Sequence, residues 1–217
     1  MGLVAKDSGD FVSVSPGMHL ARCYRIIDLG TQKTTYMGVD KYGPRVQIQF
    51  EVHGEDDKGQ PLVTQDGRPL SIAKSYAVTL AEKSNLRKDL QMWRGQDFTA
   101  QELRGFELKN ILGKWAMITV TQTESNGKTY TNIAAINPVP ATMKKAGLPE
   151  GVNELKTFSI EEADMELFDS FSENLKNKIS SSPEWIELHG EKKNTPKEKP
   201  ACKAPGFDDL DDDIPFN

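Results

Sequence analysis

Residues 45–52 read RVQIQFEV, and their alternation is complete. Val46, Ile48, Phe50 and Val52 take one side; Arg45, Gln47, Gln49 and Glu51 take the other. Period two is the geometry of a β-strand, whose successive side chains point to opposite faces. A helix would scatter the four apolar residues around its circumference. A strand with one greasy face cannot stand alone, so the rest of the chain must supply partner strands and a cover.

Two partners flank it. Residues 18–28, MHLARCYRIID, and 70–80, LSIAKSYAVTL, are rich in β-branched and aromatic residues and predict the first and third strands. Between the first two runs, GTQKTTYMGVDKYGP (30–44) carries three glycines, three threonines and a proline, which predicts a long loop. A polar connector, HGEDDKGQPLVTQDGRP, joins the second strand to the third. The period then changes. In EKSNLRKDLQMW (82–93), Leu86, Leu90 and Trp93 recur at intervals of four and three, the spacing of a helix, and Gly95 stops it. Thr99 and Glu102 form a capping box that opens a second short helix. WAMITVT (115–121) and TYTNIAAI (129–136) are two more strands, joined through Asn126-Gly127, a strong hairpin signal.

Five strands with a helical insert between the third and fourth match the layout of an OB-fold barrel. The expected class is therefore mainly β: a five-stranded OB barrel, a short helical segment and a disordered acidic tail. An open α+β sheet with the same elements is the rival. The expected divisions are a barrel over 1–145, a helical extension over 146–189, a linker over 190–206 and an acidic tip over 207–217. In the extension, Phe168, Phe171, Leu175 and Ile179 predict one amphipathic helix across 160–180. Its apolar face docks on the sheet, self-associates into a homo-oligomer, or binds a partner. GEKKNTPKEKPACKAP (190–205) has linker composition.

Composition supports this division. Hydrophobic residues are 37% of the chain, low for one that is globular throughout. Residues 1–145 hold 19 Lys+Arg and 15 Asp+Glu, a net of +4; residues 146–217 hold 8 and 17, a net of −9; together they give the overall −5. An acidic total thus hides a mildly basic front that suits a polyanion. Cys23, in an apolar run, is expected in the core, and with only Cys202 besides it no disulfide framework or cysteine zinc site is expected. There is no apolar opening segment of signal-peptide type and no run approaching a membrane span, so the expected location is the cytoplasm, with no membrane partner.

Motifs for catalysis are absent. No phosphate-cradling GxxxxGK[ST], no HExxH, no CxxC and no GxSxG occurs, and His19, His53 and His189 share no ligand spacing. The acidic EDD at 55–57 reads as a charged turn. The expectation is therefore no catalytic residue, no metal and no cofactor. What does recur is tyrosine beside lysine or arginine. The first long connection carries Lys33, Tyr36, Lys41 and Tyr42 and leads to Arg45; the third strand carries Lys74 and Tyr76; the last hairpin carries Lys128 and Tyr130; the first strand offers Arg22. Cations that track phosphates, interleaved with rings that stack bases, are what a single-strand binder needs. In an OB fold, the connections between strands 1–2 and 4–5 and the faces of strands 2–3 carry that surface. Tyr76 and Tyr130 also suit a packing role, whereas Tyr36 and Tyr42 sit in a polar stretch; Trp93 and Trp115 are expected in the core.

The stretch FDDLDDDIPFN (207–217) packs five aspartates among apolar residues that have nothing local to bury them. Within it, Asp211, Asp212, Asp213, Ile214, Pro215 and Phe216 resemble the acidic C-terminal tip of bacterial single-stranded DNA-binding proteins, here followed by Asn217. That resemblance implies recruitment of replication, recombination and repair proteins. IDLGTQK (27–33), KSNLRKDLQMWRG (83–95), LKNILGK (108–114) and SNGKTYTNIAAINPVP (125–140) resemble a family of bacteriophage OB-fold single-stranded DNA-binding proteins; so do FDSFSENLKNKI and SPEW further on. This implies a viral replication protein at work in a bacterial host cytoplasm. The expected role is to coat single-stranded DNA without sequence preference. The alternatives are a protein-binding adaptor with a DNA-mimicking tail, and a strand-annealing recombination mediator.

Overall fold

The computed structural model describes residues 13–36, 38–56, 58–125 and 127–190. In chain order these give β1 (Gly17–Tyr36), β2 (Val39–His53), β3 (Ser71–Ala77), α1 (Asn85–Arg94), β4 (Trp115–Ser125) and β5 (Lys128–Asn137). The C-terminal extension adds α2 (Ala141–Ala146), β6 (Lys156–Phe158), α3 (Met165–Asp169), α4 (Glu173–Ser180) and α5 (Pro183–His189). Two short 3₁₀ turns, Glu102–Arg104 and Leu108–Ile111, lie between α1 and β4.

The strands form one sheet in the order β3-β2-β1-β4-β5, with every pair antiparallel. β6 joins it separately, running parallel to β1 along Arg25–Ile27. The five predicted strands and the insert after the third are all present, but the expected barrel is not closed. β3 and β5 come within 8 Å, Cα to Cα, without pairing. α1 lies against both edge strands and buries Leu86, Leu90 and Trp93 in the core, so side chains rather than a sixth ladder hold that side.

Alternation in β2 survives intact: Val46, Ile48, Phe50 and Val52 are all buried. They join Ala21, Cys23 and Ile26 of β1 and Ile118, Val120, Ile133 and Ile136 of β4 and β5 in the main core. The Cys23 thiol is fully buried there, and burial pushes its pKa up to about 12. The α1 boundaries follow its caps: Ser84 accepts the Arg87 N–H, and Gly95 closes the helix at φ 67°. The Thr99–Glu102 capping box forms as predicted, with Thr99 N donating to Glu102 Oε2 at 2.8 Å and Glu102 N to Thr99 Oγ1 at 3.2 Å, but it opens a 3₁₀ turn. In the acidic connector, Asp56 accepts the N–H groups of Lys58 and Gln60, which makes it a turn cap.

Two expectations are corrected. The stretch 30–44 is not a loop; β1 and β2 run on through it as a hairpin arm, paired residue by residue from Thr31↔Pro44 to Tyr36↔Val39. Nor is 160–180 one helix. Asp164, Ser172 and Ser182 occupy the N-cap positions of three short helices, with Pro183 opening the last. The predicted apolar residues nonetheless pack. Phe168, Phe171 and Ile179 join Phe158, Ile160, Leu167 and Trp185 in a second core built on Ile27 and Leu29 of β1. Phe168 stacks on Trp185 with ring centroids 4.4 Å apart. β1 serves both cores because it carries irregularities at Cys23/Arg25 and Asp28/Gly30, which change the face its residues present. The predicted linker beyond residue 190 and the acidic tip lie outside the described residues, as does Cys202.

Candidate nucleic-acid interface

Two hairpin arms project from the sheet beyond its buried part. The first is the continuation of β1 and β2, residues 31–43; the second is the far end of β4 and β5. On the first, Tyr42 is 69% exposed and pairs across the arm with Lys33; Lys41 is exposed and pairs with Thr34. Lys33 Nζ contacts Asp40 Oδ2 at 2.6 Å, and hydrogen bonds from Lys33 and then Thr35 hold the Asp40 carboxyl below its ordinary range. Both partners are half in water, so this pair adds little stability. The Tyr36 backbone closes the arm against Val39. On the second arm Tyr130 is 48% exposed and pairs with Thr123, and the Lys128 backbone pairs with Ser125. The side chains of Tyr36 and Lys128 lie outside the described set.

Three of the predicted residues are held inside the fold. Tyr76 is buried, and its hydroxyl donates to Asp89 Oδ2 at 2.7 Å; burial, then Asp89, pushes its pKa well above the usual phenol value. Lys74 shares its face, as the spacing predicted, but reaches the same carboxylate oxygen at 2.7 Å. That face turns toward α1, which carries Asp89. Arg22 is only 13% exposed at its side chain and makes an ion pair with Glu51 at 2.7 Å and a bond to the Asn153 carbonyl. These three are therefore engaged by the protein itself. Arg45, half-buried, sits at the base of the first arm, between Gly30 and Ala77 on its two neighbouring strands.

Glu51 was legible only as an outward residue of β2. It is fully buried, and Val152 and Asn153 of the C-terminal extension bond to it. Its oxygens accept from Asn153 N at 2.7 Å, Asn153 Nδ2 at 2.8 Å and Val152 N at 3.2 Å, and face His53 Nε2 at 3.2 Å and Arg22 Nε at 2.7 Å. Burial alone would raise the Glu51 pKa; the bonds from Asn153 and His53 and the charge of Arg22 outweigh it and lower it. A Cβ on Gly151 would overlap the Arg22 guanidinium, so glycine is required where the extension meets it.

The extension also grips the base of the first arm. Glu184 of α5 accepts from Thr31 N at 2.8 Å and from Thr31 Oγ1 at 2.6 Å. Gln32 Nε2 donates to the carbonyls of Leu29 and Lys178 at 2.7 and 2.8 Å. Next to the arm, the outward face of β1, β2 and β3 carries a polar chain: Tyr24 OH bonds Gln49 Oε1 and Ser71 Oγ, each at 3.1 Å, and Gln49 bonds Gln47. Arg25 lies 5.2 Å over the Tyr24 ring and 5.6 Å over Phe171. No helix among the described residues is long and apolar enough to cross a membrane. No protein-family model matches this chain, and no curated protein does.

Proposed function

We propose that this protein binds single-stranded DNA with little sequence preference, through an OB-like sheet and its two hairpin arms. One observation carries the reading. Tyr42 stands 69% exposed on an arm with no core of its own, among Lys33, Lys41 and Arg45. A ring so placed is kept in water, where a base can stack on it. Tyr130 is likewise exposed, at 48%, on the second arm. These arms are the connections between strands 1–2 and 4–5, the ones that bind oligonucleotides in OB folds. Stacking on a π-face accepts every base, and the cations follow the backbone rather than the sequence.

In this reading the tip, Asp211 to Phe216, is a tethered recruitment motif for replication and recombination proteins. Its acidity and its Ile-Pro-Phe suit a basic-rimmed apolar pocket on a partner.

Tyr42→Ala and Tyr130→Ala each remove one stacking ring, so each should weaken binding to an unstructured strand by about 1–3 kcal/mol, roughly 5- to 150-fold. Neither ring is buried, so the melting temperature should hold. Fluorescence anisotropy and thermal melts on the same samples check this. A drop in melting temperature that accounts for the lost affinity would make the rings structural and remove the main support of the reading.

A further inference from the structure

Arg45 reaches the base of the first arm along β2, and α4 reaches the same place from the far end of the chain. Gln32 fastens the Lys178 carbonyl beside β1, two positions from Gly30, and Gly30 is the cross-strand partner of Arg45. The two cations feel each other. The Lys178 ammonium is held below its ordinary pKa, first by partial burial and then by the charge of Arg45. The carboxylates nearby are already engaged: Glu184 binds Thr31 through both oxygens, and Asp28 accepts the Gly30 N–H at 2.9 Å. Neither Arg45 nor Lys178 makes an ion pair among the described residues. Two like charges held together repel, and an anion placed between them turns that repulsion into attraction.

We propose that Arg45 and Lys178 form one phosphate-binding site for the DNA backbone, so that the C-terminal extension is part of the binding surface. The inference rests on the single-strand reading above and adds a residue that no motif in the sequence marked. Arginine offers a planar fork to the phosphate oxygens, and lysine adds a point charge from the other side. Arg45 is three residues along β2 from Tyr42 and so on the opposite face of the arm, the face of Gly30 and Gln32 on which the extension docks; the site therefore extends the binding surface beyond the ring.

The test is anisotropy of a labelled oligothymidylate across a salt series, for the full chain and for Lys178→Ala, Arg45→Ala and the double variant. Lys176→Ala, whose lysine is ion-paired with Glu173, is the control. Lys178→Ala should flatten the log–log salt dependence by about 0.7, the contribution of one phosphate contact on a single strand. The double variant should lose less affinity than the two single losses combined, because the residues share one phosphate. The melting temperature of Lys178→Ala should stay level or rise as the repulsion is relieved. If the parent chain binds and Lys178→Ala keeps its slope, or melts lower by enough to account for its loss, the shared site is wrong and the single-strand reading stands. If the parent chain does not bind at all, both fall.

Discussion

Gly30→Ala is expected to lower stability by roughly 2–5 kcal/mol and to loosen the C-terminal extension from the sheet. Two costs combine. Gly30 has φ +64°, and an L side chain in that region costs about 1–2 kcal/mol. A Cβ there would also lie 2.6 Å from the Ser182 side chain and 2.9 Å from Glu184 Oε2. Neither neighbour can step aside. Ser182 is fully buried, accepts the Trp185 N–H and donates to the Ile179 carbonyl, while Glu184 is fixed by Thr31. Overpacking of this kind costs about 1–3 kcal/mol. For a domain of this size the sum is a fall of roughly 4–20 °C in melting temperature. Gly38→Ala separates the two terms, since Gly38 also has positive φ, 76°, but meets nothing within 4 Å; it should cost the strain alone. Hydrogen exchange should show α4 and α5 losing protection in Gly30→Ala while α1 keeps it. Equal effects of the two substitutions would mean that the extension is not seated on Gly30.

Glu51→Gln should cost about 3–5 kcal/mol, the usual penalty when one partner of a buried ion pair is removed. The shape is kept, but Arg22 is left nearly enclosed without its counter-charge, and one of the two acceptor oxygens that hold Val152 and Asn153 becomes an NH2 donor facing their donors. The effect should depend on pH in a fixed direction. The folded-state pKa of Glu51 is lowered, so its contribution is fully present above the unfolded value of about 4.3 and is lost as pH falls from there through the folded value. Urea unfolding of the parent chain and the variant should therefore differ most at neutral pH and converge below about pH 4. A gap that stays constant as the solution is acidified would show that the charge of Glu51 is not what fastens Val152 and Asn153.

The sequence was most readable where one face of an element is buried and its partners are local. β2 kept its alternation because all four inward residues meet the same core. α1 began and ended at Ser84 and Gly95 because its caps are chemical signals within one turn. Glycine, threonine and proline usually punctuate a chain, so the sequence of the first arm predicts a loop. There the β-branched Thr31, Thr34 and Thr35 extend the ladder instead, as far as the pair Tyr36↔Val39. Phe168, Phe171, Leu175 and Ile179 keep helical spacing across the breaks, so the sequence of the extension predicts one helix. Ser172 carries the signal for the break inside that range, but the run of correct spacing outweighs it; the SSSP run at 180–183 does mark where the predicted helix ends. β6, three residues long, leaves no periodicity to detect.

The candidate site divided along the same line. Tyr42, Lys41 and Tyr130 are exposed, the first two in the polar stretch that the sequence predicts as a loop. Arg22, Lys74 and Tyr76 could not be placed because their partners, Glu51 and Asp89, are brought to them by strand register and by the packing of α1 on β3. A bulge added to this: Tyr24 is the extra residue between Cys23 and Arg25, which disturbs the simple alternation of Arg22 and Arg25. Lys178 carries no local mark at all; its position depends on how the extension docks.

The most direct test of the central claim compares a labelled single strand of mixed sequence with its duplex, by anisotropy over a salt series. The account predicts binding to the single strand in strong preference to the duplex, with affinity falling linearly in log–log form as salt rises and a slope of about 0.7 per phosphate engaged. Equal binding to both strand forms, or no binding to either, would contradict it.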